Sequence, residues 1–492
     1  MTLPLKISNS VYVGGEWIKA SGEPEAVINP ATEEVIGFAP VGGRAEVEAA
    51  IAAAREAFER GPWPRMAPAE RAAKLRELHA ALLARRADIA RLITEEAGSV
   101  AAIGPLQFDF PMSLAMNAID EGGRFRDKTM PVGAVPNMAG GRSFVGGIVR
   151  REPVGVVSAI TPYNFPFFLN VVKLFPALVT GNTVILKPSP YTPFAALIIA
   201  EVAAELGFPK GVINVVTGGK EVGELMTTDP RVDLISFTGS DAVGSAIMAQ
   251  GAASLKRLHF ELGGKSAHIV RGDANIQAAV GAGMSYLTHS GQGCALTTRH
   301  LVHNSIRKQY VEMLAGAHQM VKIGNPSDPS VTFGPLIREA QRARTEHYVA
   351  EGLKSGATLV TGGRRPAGLD KGYFYEPTLF DNVDNRSTIA QEEVFGPVAV
   401  VIGFDTDEQA IDLANDSPFG LSGSIWSADL AAAFDIAAAV RTGGISINGG
   451  GAAPGAPPAP FGGFKRSGIG REWGEEGLNA FTELKSISFR QA

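Results

Sequence analysis

Val154-Gly155-Val156-Val157-Ser158-Ala159-Ile160-Thr161-Pro162 opens the stretch that decides the fold. Residues 156–160 are a short apolar run of the buried-strand kind, and Thr161-Pro162 ends it. An apolar helical stretch follows over residues 167–179. Thr183-Val184-Ile185-Leu186 is a second strand, stopped by Lys187-Pro188-Ser189-Pro190, and residues 195–206 read as a helix. Residues 212–216 and 234–237 are two more strands, each leading into a helix, over 219–227 and from Gly239-Ser240 to about 250. Strands alternating with helices in this way make βαβ units, and such units build a parallel sheet. Ligands bind such sheets beyond the carboxyl ends of the strands, so the loops there are where chemistry is sought.

Outward from this block, residues 46–59 and 67–97 read as helices, with Leu75, Leu78, Leu82 and Leu83 at helical spacing. Residues 132–151, with Gly140-Gly141 in the middle, read as a hairpin excursion. A second α/β region begins near Gly264, with helices expected over 276–288, 306–320 and 338–355 and later strands near 398–402 and 443–447. Residues 484–489 alternate and read as a lone strand, for which pairing with the hairpin of a second subunit is expected. Residues 449–460, rich in Gly, Ala and Pro, are a loop.

The chain has 492 residues, enough for roughly two to three domains. A hydrophobic share of 45% and a charged share of 19% describe a globular protein with ample core. A net charge of −5 offers no basic footprint for nucleic acid. One cysteine rules out an internal disulfide framework and fits a reducing compartment, so a cytoplasmic location is expected. The N-terminus lacks a basic segment followed by an apolar run, so no signal peptide is expected. The longer apolar runs, such as 398–404, are too short to span a bilayer. The histidines show no metal-ligand spacing, and no metal site is expected.

Five features carry candidate chemistry. Cys294, in Gly291-Gln292-Gly293-Cys294-Ala295, is flanked by small residues that leave the sulfur accessible, and its thiolate is a strong nucleophile. Glu261 lies in Phe260-Glu261-Leu262-Gly263-Gly264-Lys265, read as a loop; partial burial there raises a carboxylate towards general-base work near neutral pH. Asn164, in Pro162-Tyr163-Asn164-Phe165-Pro166, offers an amide donor to a developing oxyanion. Phe237-Thr238-Gly239-Ser240 leads into a helix whose free N–H groups favour phosphate, although it is not the GxGxxG fingerprint. Glu393 and Phe395 place a carboxylate and an aromatic ring two residues apart, suited to a ribose and a ring.

Taken in order, these segments, with Lys187-Pro188 and Pro460-Phe461-Gly462-Gly463-Phe464-Lys465-Arg466-Ser467-Gly468, resemble the aldehyde dehydrogenase superfamily over nearly the whole chain. The resemblance implies an α/β fold with a Rossmann-like cofactor domain (1–131 and 152–263), an α/β catalytic domain (264–465) and a small β oligomerisation hairpin (132–151 and 480–492). It implies oxidation of an aldehyde to the acid through a thiohemiacetal and thioester on Cys294. Asn164 and the Cys294 N–H would hold the oxyanion, and Glu261 would act as base. Lys187, Gly219, Gly239, Ser240, Gly244, Ile160, Leu262, Glu393 and Phe395 match cofactor-binding positions. Phe165, Leu169, Gly293 and Ala295 match substrate positions. A homodimer or homotetramer is implied.

Two departures bear on these expectations. The family often carries an acid three residues after the Lys187 equivalent, and here that residue is Pro190. No carboxylate at that position repels a 2′-phosphate and no arginine attracts one, so NAD is expected with measurable use of NADP. Tyr163 stands where tryptophan is common and keeps an aromatic ring. No Arg or Lys lies between Tyr163 and Val172 or between Asn448 and Phe464. Without such an anchor for a second carboxylate, an aromatic or medium-chain aliphatic aldehyde is favoured over a semialdehyde. The alternatives are a CoA-acylating or semialdehyde dehydrogenase of the same fold, a thiol hydrolase pairing Cys294 with a histidine such as His289, and a non-catalytic dinucleotide binder.

Overall fold

A computed structural model describes residues 5, 9–449 and 459–491. Its first sheet has parallel strands in the order Ile213–Val215, Thr183–Lys187, Val156–Ile160, Leu234–Thr238 and Arg257–Glu261. Antiparallel strands Ser10–Val13 and Glu16–Lys19 extend one edge, and Gly468–Ile469 closes the other. The central strands are buried along their whole length because both faces are covered. Side chains alternate between two cores. Val157, Ala159, Val184 and Leu186 pack under the helices Pro166–Val179 and Phe194–Glu205. Val156, Ile160, Ile185 and Ile235 pack under Arg44–Glu59 and Lys220–Thr228. The chain winds outward from Val156–Ile160 in one direction, then returns to lay Leu234–Thr238 on its other side. That reversal opens a crevice at the carboxyl ends of these two strands.

The second sheet runs Thr358–Thr361, Thr378–Asp381, Val398–Phe404, Arg299–His303, Ala267–Val270, Gly423–Trp426, Ser446–Ile447, parallel except at its first strand. The strands Arg257–Glu261, Ala267–Val270 and Arg299–His303 escape a reading by hydrophobic pattern because they carry His259, His268, Arg299 and His300, all buried. Most of these polar groups find partners: Arg299 donates to the carbonyls of Lys265, Leu413 and Ala414, and His268 meets Ser424 and the Ala279 carbonyl.

The structure corrects three expectations. The helix read over 67–97 is two, Pro68–Ala84 and Arg86–Ala97, separated at Arg85. The helix expected over 276–288 ends at Gly283, and a tighter turn, Met284–Gly291, carries His289 and Ser290 at φ 49° and 58°. The C-terminal strand, Thr482–Gln491, pairs with Arg142–Pro153 of its own chain, from Thr482 opposite Pro153 to Gln491 opposite Phe144. The Phe481 carbonyl accepts from Val154 N–H and from Asn182 Nδ2, so the body of the protein delivers the strand beside its own hairpin. With Lys128–Pro136 these strands make a three-stranded sheet. Most of the 449–460 loop, residues 450–458, lies outside the described residues.

Candidate active site

Three chain segments meet where the two sheets face each other, and glycines let them touch. Glu261 ends the strand Arg257–Glu261 rather than lying on a loop, and the backbone turns away through Gly263-Gly264. A Cβ on Gly264 would sit 2.4 Å from the Cys294 carbonyl oxygen, and one on Gly263 would sit 2.4 Å from Glu393 Oε2. Gly264 N–H donates to Glu393 Oε1 at 2.9 Å. The pair is thus wedged between the cysteine and the Glu393 carboxylate, a gap that admits no side chain. Gly291, at φ 77°, makes the third close approach: its Cβ would lie 2.2 Å from the Gly396 carbonyl carbon.

Asn164 joins the same junction from the end of Val156–Ile160. Its Nδ2 donates to the Gln292 carbonyl at 2.8 Å, two residues before Cys294, and its own carbonyl accepts from Gln107 Nε2. One of the two Nδ2 hydrogens is therefore committed and the second remains. Gln292 is pinned in turn, accepting from Ile337 N–H and donating to the His289 carbonyl.

Electrostatics sets the resting state. Burial pushes the Cys294 thiol up, and the carboxylates of Glu393, Glu261 and Glu472 add to it. Its own backbone N–H pulls the other way. Glu261 is 1% exposed, and neither carboxylate oxygen has a partner among the described residues. Burial first, and Glu472 second, raise it well above the ordinary carboxylate range, while Lys173 and Arg471 oppose that rise. Glu393 is pushed up to about 7 by burial, against the Gly264 N–H and Lys265.

Two residues here were not singled out from sequence. Lys173 projects from the apolar helix Pro166–Val179 and Glu472 follows Gly470-Arg471; their side chains, 0% and 3% exposed, form an ion pair at 2.8 Å. A charge alone in Pro-Phe-Phe-Leu-Asn-Val-Val-Lys-Leu-Phe is the signal that marks it. The charge on Arg471 reaches Glu261, but its guanidinium is held by the carbonyls of Gly463 and Gly470.

The remaining candidates fall into two groups. Ile160, Lys187, Gly239 and Ser240 line the carboxyl edge of the first sheet, and Gly219 precedes the helix Lys220–Thr228 there. Ser240 caps the helix Asp241–Gly251, its Oγ accepting from Val243 N–H at 3.3 Å. Gly244 and Leu262 are buried against each other beneath that turn. Lys187 is buried, which lowers its ammonium to about 8, against the pull of Glu25. Its Nζ reaches the Pro188 carbonyl at 3.3 Å and keeps donors to spare. Phe395, at φ 58°, sets its ring edge-on to Tyr163 with centroids 6.1 Å apart.

On the other side of Cys294, Phe165 and Leu169 are half-buried, as are Gly293 and Ala295. They adjoin an aromatic cluster in which Trp473 stacks on Phe461 (4.6 Å) and Phe168 (6.2 Å), with Phe110 edge-on at 5.5 Å. His289 lies against Phe165 at 5.6 Å, and neither ring nitrogen has a partner among the described residues.

The sequence profile described as the aldehyde dehydrogenase family matches residues 17–487. The chain belongs to the aldehyde dehydrogenase family. Similar solved structures agree over nearly the full length of this enzyme. An aldehyde dehydrogenase of Mycobacterium tuberculosis complexed with NAD+ is 43% identical, with a TM-score of 0.90 and 97% of each chain covered. A betaine aldehyde dehydrogenase of Staphylococcus aureus in complex with NAD+ is 36% identical, with a TM-score of 0.94, covering 98% of this chain and 95% of that one. An NAD-dependent aldehyde dehydrogenase of Sinorhizobium meliloti is 37% identical, with a TM-score of 0.92, covering 99% and 95%. Among the described residues no helix is long and apolar enough to cross a membrane.

Proposed function

We propose that this enzyme oxidises an aldehyde to its carboxylic acid with NAD+, through a covalent thioester on Cys294. The observation that carries the reading is Glu261: a buried carboxylate without hydrogen-bond partners among the described residues, in the segment that packs through Gly264 onto the Cys294 carbonyl. Glu261 takes the thiol proton, and the sulfur attacks the aldehyde carbon. The oxyanion forms beside the spare N–H of Asn164 Nδ2 and the Cys294 backbone N–H. Loss of hydride from that carbon leaves the acyl group on sulfur. Glu261 gives up the thiol proton to solvent, and the regenerated carboxylate then removes a proton from water, which attacks the thioester carbon and displaces the Cys294 thiolate, releasing the acid. Lys173 and Glu472 set how readily Glu261 holds that proton.

The donor set fits a dinucleotide. Lys187 has unused N–H groups for ribose hydroxyls, and Gly219, Gly239 and Ser240 present helix N-termini to a pyrophosphate, with Ile160, Gly244 and Leu262 as the floor beneath. Glu393, with one oxygen tied to Gly264, and Phe395 face the other end. NAD+, when bound, supplies the hydride acceptor. Pro190 removes an acid from the ribose site, yet Glu25 lies within electrostatic reach of Lys187, so NAD leads and NADP is turned over measurably.

For substrate, the cluster of Phe110, Phe165, Phe168, Phe461 and Trp473 supports an aromatic or medium-chain aliphatic aldehyde. Stacked aromatic faces also attract a quaternary ammonium, which makes betaine aldehyde the second reading. We read the three-stranded sheet as the surface of a homodimer or homotetramer. A thiol hydrolase is disfavoured because the nitrogens of His289 have no hydrogen-bond partner among the described residues, Cys294 included.

The test is NADH formation across benzaldehyde, hexanal, succinic semialdehyde and betaine aldehyde, with either cofactor and with or without CoA. Benzaldehyde or hexanal is expected to lead, independent of CoA. Succinic semialdehyde far ahead, or a requirement for CoA, overturns the substrate or the hydrolytic reading respectively.

A further inference from the structure

Behind the Glu261 carboxylate lies a line of buried polar groups that ends in a histidine. Lys173 Nζ donates to Glu472 Oε1 at 2.8 Å and to Ser236 Oγ at 3.2 Å. Ser236 Oγ lies 3.4 Å from His259 Nδ1. All four side chains are buried, and each comes from a different element: Pro166–Val179, Leu234–Thr238, Arg257–Glu261 and the Gly470-to-Glu472 return.

One arrangement of donors and acceptors links all of these groups. A lysine ammonium has no lone pair, so the Ser236 oxygen accepts from Lys173, and its own hydrogen must point elsewhere. His259 Nδ1 is the acceptor in reach. That uses the neutral tautomer with its hydrogen on Nε2, a buried atom without a hydrogen-bond partner among the described residues, beside the segment that leads into Glu472. The same ring edge is closed by Gly470, whose Cβ would lie 2.7 Å from His259 Cδ2. His259 therefore touches the line at two points, Ser236 on one side and the Glu472 segment on the other. Burial, with Lys173 adding to it, keeps the ring uncharged down to about pH 3.

We propose that His259 is a positioning residue for the general base: it orients the Ser236 hydroxyl so that the oxygen lone pair fixes Lys173, and so holds the lysine charge where Glu261 and Glu472 feel it. This rests on the reading of Glu261 as base. The charged or titratable groups facing Glu261 are Glu472, Lys173, Arg471 and Cys294, and the charged group facing His259 is Lys173, with only the backbone of Arg471 beside the ring. Of these, Lys173 and Arg471 favour the ionised carboxylate. Without the Nδ1 acceptor, Ser236 is free to turn, Lys173 loses a ligand, and Glu261 holds its proton to higher pH. His259 is two residues from Glu261 on one strand and on the same face of it, so a packing role must be told apart from this one.

The experiment compares the pH dependence of kcat in the full-length enzyme with His259→Leu, His259→Asn and Ser236→Ala, alongside Glu261→Gln. His259→Leu and Ser236→Ala are expected to move the acid limb of kcat upward by about half a pH unit. Below that limb the rate then falls about threefold, since one unit is tenfold. KM for the aldehyde stays within a factor of about two. His259→Asn, whose Oδ1 can replace Nδ1 as acceptor, restores the limb. The Ser236→Ala/His259→Leu double variant shifts no further than either single one. An unmoved limb in both single variants, or equal loss at all pH values in His259→Leu and His259→Asn, overturns the inference. If Glu261→Gln itself keeps the wild-type acid limb, the base assignment fails instead, so the two failures are distinguishable.

Discussion

Burial and neighbouring carboxylates push the Cys294 thiol up, and the residue proposed to take its proton, Glu261, has its own proton affinity raised. A base must be ionised to work. Because the Glu261 carboxyl titrates above the ordinary carboxylate range, its base form appears as pH rises through that raised value and is lost as pH falls through it. Steady-state turnover is therefore expected to drop on the acid side at a higher pH than an unperturbed glutamate would give, read from a kcat–pH profile. Glu261→Gln should cut steady-state NADH formation by roughly 10²–10⁴-fold. Its effect on the slow hydrolysis step should exceed that on the first turnover, so stopped-flow traces would show a burst. Equal slowing of both phases would assign Glu261 to thiol activation alone.

At the scale of elements, the site is a junction held by backbone proximity and one buried ion pair. Removing the cation of that pair by Lys173→Met strands the Glu472 carboxylate and is expected to cost about 3–5 kcal/mol of stability in urea denaturation. A change under about 1 kcal/mol would mean that the pair is relieved by relaxation. Gly291→Ala forces a Cβ onto the Gly396 carbonyl at a left-handed φ, and strain of that kind is worth roughly 1–3 kcal/mol. It should push the cysteine turn away from Glu393 and Phe395 and raise KM for NAD+ more than KM for aldehyde. The βαβ block from Val156 to Gly251 was legible in sequence because its strands are continuous apolar runs buried on both faces. The strand that carries Glu261 was not, because Arg257-Leu258-His259-Phe260-Glu261 has no such run, and its polar groups find their places only through contacts distant in sequence. Cys294, Glu261 and Asn164 stood out by residue type and local setting. Lys173 and Glu472 did not, since they lie 299 positions apart and acquire meaning only when the helix and the C-terminal return are packed together.

At the scale of the whole molecule, the three-stranded sheet stands apart from both cores and exposes Val132, Val135, Phe144, Leu484, Ile487 and Phe489. Exposed apolar side chains clustered on one sheet mark an association surface. The double substitution Ile487→Glu/Phe489→Glu is expected to reduce the assembly by light scattering, while the monomer keeps its far-UV circular dichroism. A wild-type chain that is already monomeric would contradict that reading. The proposed reaction turns on one bond, between the Cys294 sulfur and an acyl carbon. The direct measurement is mass spectrometry of Glu261→Gln after rapid mixing with NAD+ and benzaldehyde, followed by peptide mapping. A benzoyl adduct is expected on the peptide containing Cys294, formed in step with the NADH burst and absent when Cys294→Ala is added. NADH formation with the Cys294 peptide unmodified would contradict it.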